Sequence, residues 1–309
     1  MNEGKGRMAL WLVNRENEFK EISHLVKDVV IETQSPFQKI RVLDTWYFSR
    51  ILVLDNQIQS AEYDEYVYHE ALVHPAMVTH NRPESILILG GGEGATLREV
   101  LRYGTVKDVT MVEIDETLLE VSKEYLSNWH RGAFDDPRTN ILIIEASEFL
   151  KTTDKKFDVI ICDINDPVEG GPAAAVYTQE FYQSVGRVLS KDGIFVSQAV
   201  EISYDENDLH SILSRTLSHT FQICESYCEY IPSFGAMWGF LLGSNRLSGK
   251  KVSMGEIEKR LTERSIEGLR FYDAETHRRL FNLPKMVRHR IADQKKISTI
   301  QDPVKIFEG

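Results

Sequence analysis

Cysteine is scarce in this chain: three among 309 residues, at Cys162, Cys224 and Cys228. An odd, sparse set builds no disulfide framework and fits a reducing compartment. Cys224 and Cys228 have no matching Cys or His pair, and none of the nine His falls into a recognisable metal-ligand motif, so no metal site is expected. Basic residues are in deficit as well. Lys and Arg number 36 against 47 Asp and Glu, a net charge of −11. An acidic surface repels nucleic acid and anionic membrane and attracts cations, so neither of the first two is expected as a partner. Long apolar runs are also missing. The stretch Met8–Val13 is too short for a signal-peptide core or a membrane span, and the chain is expected to be cytoplasmic. No internal repeat or low-complexity tract is present. Hydrophobic residues make up 42% of the chain, enough to bury the core of one large domain with a small one beside it.

Residues 1–64 read as a small β-domain. Val29–Thr33, Lys39–Leu43 and Ile51–Asp55 are rich in β-branched residues, and Asp55-Asn56 forms a turn from which Gln57–Ser60 returns. The period changes to helical spacing over residues 65–80. From residue 85, apolar strands alternate with amphipathic helices. The strands are Ser85–Leu89, Asp108–Ile114, Asn140–Ile144, Phe157–Asp163 and Gly193–Gln198; the helices are Ala95–Tyr103, Glu116–Leu126, Glu145–Lys151 and Thr178–Leu189. That order implies a parallel sheet covered on both faces. A helix over Leu209–Phe221 and strands over Ser226–Ile231 and Met237–Ser244 then complete a seven-stranded sheet with a late antiparallel pair. The expected fold is α/β: a Rossmann-like, methyltransferase-type domain over residues 65–309, preceded by the small β-domain.

Gly90-Gly91-Gly92-Glu93-Gly94 follows a strand and opens a helix, where glycines allow a tight turn and close approach of a ligand to the backbone. Glu113 ends the next strand, 23 residues after Gly90, near the spacing at which a carboxylate accepts hydrogen bonds from both ribose hydroxyls. Gly90-x-Gly92 with Ala95 also satisfies a dinucleotide fingerprint, so this loop leaves a dinucleotide enzyme and an adenosylmethionine-type transferase both open. Glu93 inside the loop would repel the carboxylate of intact S-adenosylmethionine and pair with the ammonium of the decarboxylated compound. A carboxylate at a helix N-terminus is also favoured with no ligand at all. Strand Phe157–Asp163 runs into Asp163-Ile164-Asn165-Asp166-Pro167, which puts two carboxylates three apart at the carboxyl edge of the sheet. One can take a proton from an attacking amine and the other can hold a cationic substrate.

Together these residues resemble the spermidine synthase family of polyamine aminopropyltransferases. The resemblance runs from about residue 25 to 290. It is carried by Leu54–Gln59 with Asp64–Glu70, by Gly90–Gly94 with Arg98–Leu101, by Val112–Asp115, by Asp163-x-x-Asp166-Pro167, by Tyr177–Tyr182, and by Tyr272-Asp273 with His277 and Leu283-Pro284. Asp166–Pro172 and Ile231–Gly239 look nearest to thermospermine synthases within that family. The resemblance implies transfer of an aminopropyl group from decarboxylated S-adenosylmethionine, a co-substrate rather than a tightly bound cofactor, to a small polyamine. It also implies a homodimer or homotetramer. Gln38, Gln59, His69, Gly90, Gly92, Glu93 and Glu113 would contact the donor. Glu145-Ala146 stands where many members carry Asp-Gly or Asp-Ala against the adenine. Asp163 would be the general base, Tyr68 would help place the attacking nitrogen, and Asp166 would hold an acceptor amine. Phe234 replaces a tyrosine usual in the family, and Trp238 would line the same pocket. Asp166, Glu169 and Glu201 would line an acidic channel, with Gly170-Gly171 leaving its mouth open. A methyltransferase and a non-catalytic polyamine or nucleoside sensor are the competing readings.

Overall fold

The computed structural model describes residues 9–17, 20–167, 172–202 and 209–305. Five antiparallel strands, β1 (Leu10–Asn17), β2 (Lys20–Gln34), β3 (Lys39–Thr45), β4 (Arg50–Leu54) and β5 (Gln57–Ala61), form an N-terminal sheet in sequence order. Its strands alternate, and one face buries Ile40, Val42, Leu52 and Leu54 against the second domain's Leu118, Val121, Leu126 and Trp129. The long β2 replaces the short Val29–Thr33 strand expected. Its register shifts between Val26 and Asp28 and again between Val29 and Ile31, and such bulges break the strict alternation that marks a strand in sequence.

Helix α1 (Glu65–Thr79) leads into the larger sheet and is buried on nearly all sides. Next come β6 (Ser85–Gly90), α2 (Ala95–Leu101), β7 (Asp108–Glu113), α3 (Glu116–Tyr125), α4 (Ser127–His130), β8 (Thr139–Ile143), α5 (Ala146–Thr152) and β9 (Phe157–Asp163). They are followed by α6 (Gln179–Val188), β10 (Leu189–Glu201), α7 (Leu209–Leu217), β11 (Ile223–Ile231) and β12 (Ala236–Ser244). The sheet order is β11-β12-β10-β9-β6-β7-β8. β6 to β10 pair in parallel, and β12 runs antiparallel to both β10 and β11. This is the Rossmann-like, seven-stranded arrangement with a late antiparallel pair. The runs Ile86–Leu89 and Val159–Cys162 are fully apolar because both of their faces are covered.

Strand order reverses between β6 and β9, with Gly90 opposite Asp163. A crevice opens at such a switch point beyond the carboxyl ends of the strands. Three helices past the last strand, α8 (Met254–Glu263), α9 (Ala274–Leu280) and α10 (Lys285–Asp293), are additions to the sequence-based expectation. Among the described residues no helix is long and apolar enough to cross a membrane.

Candidate active site

The glycine loop is shaped by contact with β9. Gly90 has φ +82°, and a Cβ there would lie 2.3 Å from the carbonyl oxygen of Asp163. At Gly92 a Cβ would meet Leu118 at 2.6 Å and the Glu113 carboxylate at 3.0 Å. Both positions therefore need glycine for space, and the loop backbone is free to receive a ligand. The Gly91 N–H donates to the Asp163 carbonyl at 2.9 Å, which pins the loop to the strand end.

Glu113 closes β7 and is buried; its Oε1 accepts the N–H groups of Ile114 and Asp115 at 2.8 and 3.0 Å. Burial pushes this carboxyl up to about 7, against those two hydrogen bonds. Next to it, Asp115 caps α3 through Leu118 N–H and accepts from Ser35 Oγ at 2.7 Å and Gln38 Nε2 at 2.8 Å. The Gln38 amide oxygen accepts from Asn165 at 3.2 Å, so the N-terminal sheet reaches over the crevice between β7 and β9. Gln59 is half-buried on β5. Both carboxylate oxygens of Glu145 cap α5, accepting from Ser147 N–H and Glu148 N–H at 2.9 Å. The helix thus begins at Ala146, one residue later than its sequence suggested, because Glu145 serves as its N-cap.

Asp163 sits at the centre. Tyr68 O–H donates to its Oδ1 at 2.7 Å, and Thr96 O–H donates to its Oδ2 at 2.6 Å. Burial pushes its pKa above the usual carboxylate range, and the neighbouring Glu93 carboxylate adds to the effect; His69 and the two hydroxyls oppose it. Burial and the negative charge of Asp163 keep the Tyr68 phenol protonated. His69 faces two carboxylates, with Nδ1 2.9 Å from Glu65 and Nε2 2.7 Å from Glu93. Burial alone would lower it, but those two partners carry it to about 10. One atom each of His69, Glu93 and Asp163 lies within 4.8 Å of the others. With His69 held in its charged form by two carboxylate partners, the cluster suits an organic cation.

Asp166 lies further along the crevice and accepts from Gln198 Nε2 at 3.0 Å. Burial lifts its carboxyl to about 6, and nearby Glu201 pushes the same way. Gln198 also donates to the Ile164 carbonyl and to the Tyr177 hydroxyl, which fixes the Asp163–Asp166 segment from below. Val200, at φ +56°, is a rare conformation for a β-branched residue. It makes a bulge whose N–H donates to Gln198 Oε1 at 3.0 Å and aims that amide. The opposite wall is aromatic: the Phe234 ring lies 5.8 Å from Tyr68 and 4.8 Å from Trp238, and Trp238 Nε1 is buried without a hydrogen-bond partner among the described residues. Glu169 and Gly170-Gly171 lie outside the described residues.

The structure therefore brings together Tyr68, His69, Gly90, Gly92, Glu93, Glu113, Asp163 and Asp166, with Phe234 and Trp238 as one wall. Sequence reasoning missed Thr96 and Gln198. Thr96 follows the glycine loop directly, a readable cue; Gln198 depends on a bulge with no signature of its own.

A model described as the spermine/spermidine synthase domain matches residues 65–253, and one described as the spermidine synthase tetramerisation domain matches residues 10–62. The chain is 41% identical over 296 residues to the polyamine aminopropyltransferase of Sulfurisphaera tokodaii, covering 96% of this chain and 98% of that one. It is 44% identical over 286 residues to the enzyme of the same name from Aeropyrum pernix, covering 90% of each. Among solved structures, a spermidine synthase in complex with the transition-state analogue AdoDATO superposes with a TM-score of 0.86 at 29% identity, over 95% of this chain and 99% of that one. The spermidine synthase of Thermotoga maritima gives 0.84 at 29% identity, over 95% and 98%.

Proposed function

We propose that this chain, which belongs to the spermine/spermidine synthase family, carries an aminopropyl group from decarboxylated S-adenosylmethionine to an amine of a polycationic acceptor. The observation that carries this reading is the Tyr68–Asp163–Thr96 unit at the strand switch point, with the Glu93 carboxylate beside it. The donor is a co-substrate. Its ribose hydroxyls fit Glu113, the glycine loop passes beneath it, and Glu93 meets the ammonium at its tail. Gln38 and Gln59 would contact the donor, and Glu145-Ala146 would face its adenine.

The donor sulfonium polarises the methylene bonded to it. The amine lone pair attacks that carbon, the C–S bond breaks, and its electrons return to sulfur as the neutral thioether 5'-methylthioadenosine. The obstacle is the proton: a free alkylammonium titrates near pH ~10 and is no nucleophile. Asp163 takes that proton. Tyr68 and Thr96 occupy one lone pair on each of its oxygens and leave others facing the crevice. The aromatic wall excludes water and favours the uncharged amine. Holding donor and acceptor in line supplies much of the rate.

The Glu201 charge acts on the buried Asp166 carboxyl, and we read these two carboxylates as an acidic path for the acceptor's further ammonium groups. Together with the apolar Phe234 wall, it favours a longer acceptor, spermidine giving thermospermine, over putrescine giving spermidine. Competition kinetics with putrescine, agmatine, cadaverine and spermidine test this. A higher kcat/KM for spermidine is expected; a higher value for putrescine would reverse the acceptor order and leave the transfer chemistry intact.

The chain assembles as a homo-oligomer, and a homodimer or homotetramer is the form proposed. Residues 10–62 match the tetramerisation model, and Trp11, Val13, Trp46, Tyr47 and Tyr63 are apolar yet exposed in and beside that sheet. Light scattering should give a multiple of 35.5 kDa at micromolar concentration; a species of 35.5 kDa alone would contradict it. A cytoplasmic location is proposed from the three free cysteines, and cell fractionation checks it.

A further inference from the structure

Behind His69 lies a group of charged side chains that faces neither substrate. Glu65 and His69 stand one turn apart on α1, and His69 Nδ1 lies 2.6 Å from the Glu65 carbonyl and 2.9 Å from its carboxylate. His69 Nε2 lies 2.7 Å from Glu93 on the loop after β6. A neutral imidazole has one N–H and one bare lone pair. Both nitrogens here face only acceptors, so both must carry hydrogen. Arg98 of α2 grips Glu65 with two nitrogens, at 2.8 and 3.2 Å, and also donates to the Trp129 carbonyl at 2.6 Å and to Glu99 at 2.8 Å. Glu65, His69 and Arg98 are all buried. Buried charges are costly unless each is matched, and here each is.

A purely structural tie between α1 and α2 would end at the Glu65–Arg98 pair. This one continues through His69 into the crevice and ends on Glu93. We infer that Glu65 is a positioning residue: held by Arg98, it keeps His69 a double donor, and His69 in turn fixes the Glu93 carboxylate for the donor's ammonium. The inference rests on the donor reading above. His69 engages Oε1 of Glu93 and leaves Oε2 for the ligand. The groups facing His69 are Glu65 on its own helix, Glu93 from the glycine loop and Asp163 from β9, with Arg98 behind Glu65 and the Tyr68 ring edge-on, its centroid 5.0 Å from that of the imidazole. The imidazolium also offsets part of the repulsion between Glu93 and Asp163, which helps Asp163 stay available as a base. Without the Glu65 charge, His69 would release its proton more readily and turn a lone pair toward Glu93, and the carboxylate would swing away.

The test compares wild type with Glu65→Gln, which keeps the volume and leaves Arg98 its Trp129 and Glu99 partners. Histidine-labelled NMR of the wild type should show His69 as imidazolium through pH ~9, because two carboxylate partners within hydrogen-bond reach favour the charged form. In Glu65→Gln it should deprotonate near pH ~8 or below, since loss of one adjacent opposite charge shifts such a group appreciably. Calorimetry with decarboxylated S-adenosylmethionine reads the consequence. The ratio of variant to wild-type Kd should lie within about threefold at pH 6 and reach about tenfold or more at pH 9, following the deprotonated fraction of His69. Glu113 titrates in both proteins and cancels in the ratio. A ratio that is the same at both pH values, or a wild-type His69 that is neutral at pH 8, would overturn the role of Glu65. If the variant does not fold, the wild-type titration alone still decides. Failure of both proteins to bind the donor at any pH would count against the donor reading, and the NMR titration would still judge Glu65.

Discussion

Asp163→Asn is expected to cut turnover by about two orders of magnitude or more, the usual scale of losing a positioned general base. The amide is nearly isosteric and can still accept from Tyr68 or Thr96, so the fold and the crevice should survive. What it cannot do is accept the proton that the attacking ammonium must release. Donor affinity should change little, because Glu113 and Glu93 hold the donor's other groups. Steady-state kinetics paired with donor calorimetry on the same preparation separates the two effects. Near-normal turnover in a folded Asp163→Asn protein would remove Asp163 as the base.

Glu93→Gln should weaken binding of the decarboxylated donor by about 1–3 kcal/mol, the scale of a charge-assisted hydrogen bond. It should also narrow discrimination against intact S-adenosylmethionine, whose carboxylate the wild-type residue repels. A carboxylate at this place could have been no more than a favourable charge before the N-terminus of α2. Its contact with the buried His69 argues for a more specific role: the side chain is drawn into the crevice, next to Asp163. Calorimetric titration of both compounds against both proteins reads the effect. A wild type that prefers intact S-adenosylmethionine would overturn the donor assignment.

Much of this site was legible in the sequence because its parts are local. Gly90–Gly94 lies between an apolar strand and a helix, Glu113 and Asp163 close mostly apolar strands, and Asp163 and Asp166 are separated by only two positions. Strand ends of this kind converge wherever a parallel sheet changes direction, so a reading of elements alone already groups them. The missing parts depend on distance in the chain. The Asp115 contacts with Ser35 and Gln38 cross between two sheets, and Gln198 reaches Asp166 because Val200 adopts a left-handed conformation no pattern announces. Glu65 lies within a motif that marks it only as part of a helix start, and its link to the site depends on Arg98 arriving from another helix. β2 escaped because its bulges disturb the two-residue period, and the C-terminal helices because their short apolar faces pack on a core formed elsewhere.

Product analysis decides which group this enzyme transfers. The protein is incubated with decarboxylated S-adenosylmethionine and a panel of amines, and products are read by mass spectrometry. One 5'-methylthioadenosine is expected for each amine that gains an aminopropyl group, and no methylated amine. Methyl transfer from intact S-adenosylmethionine, or no thioether product with any amine, would contradict it.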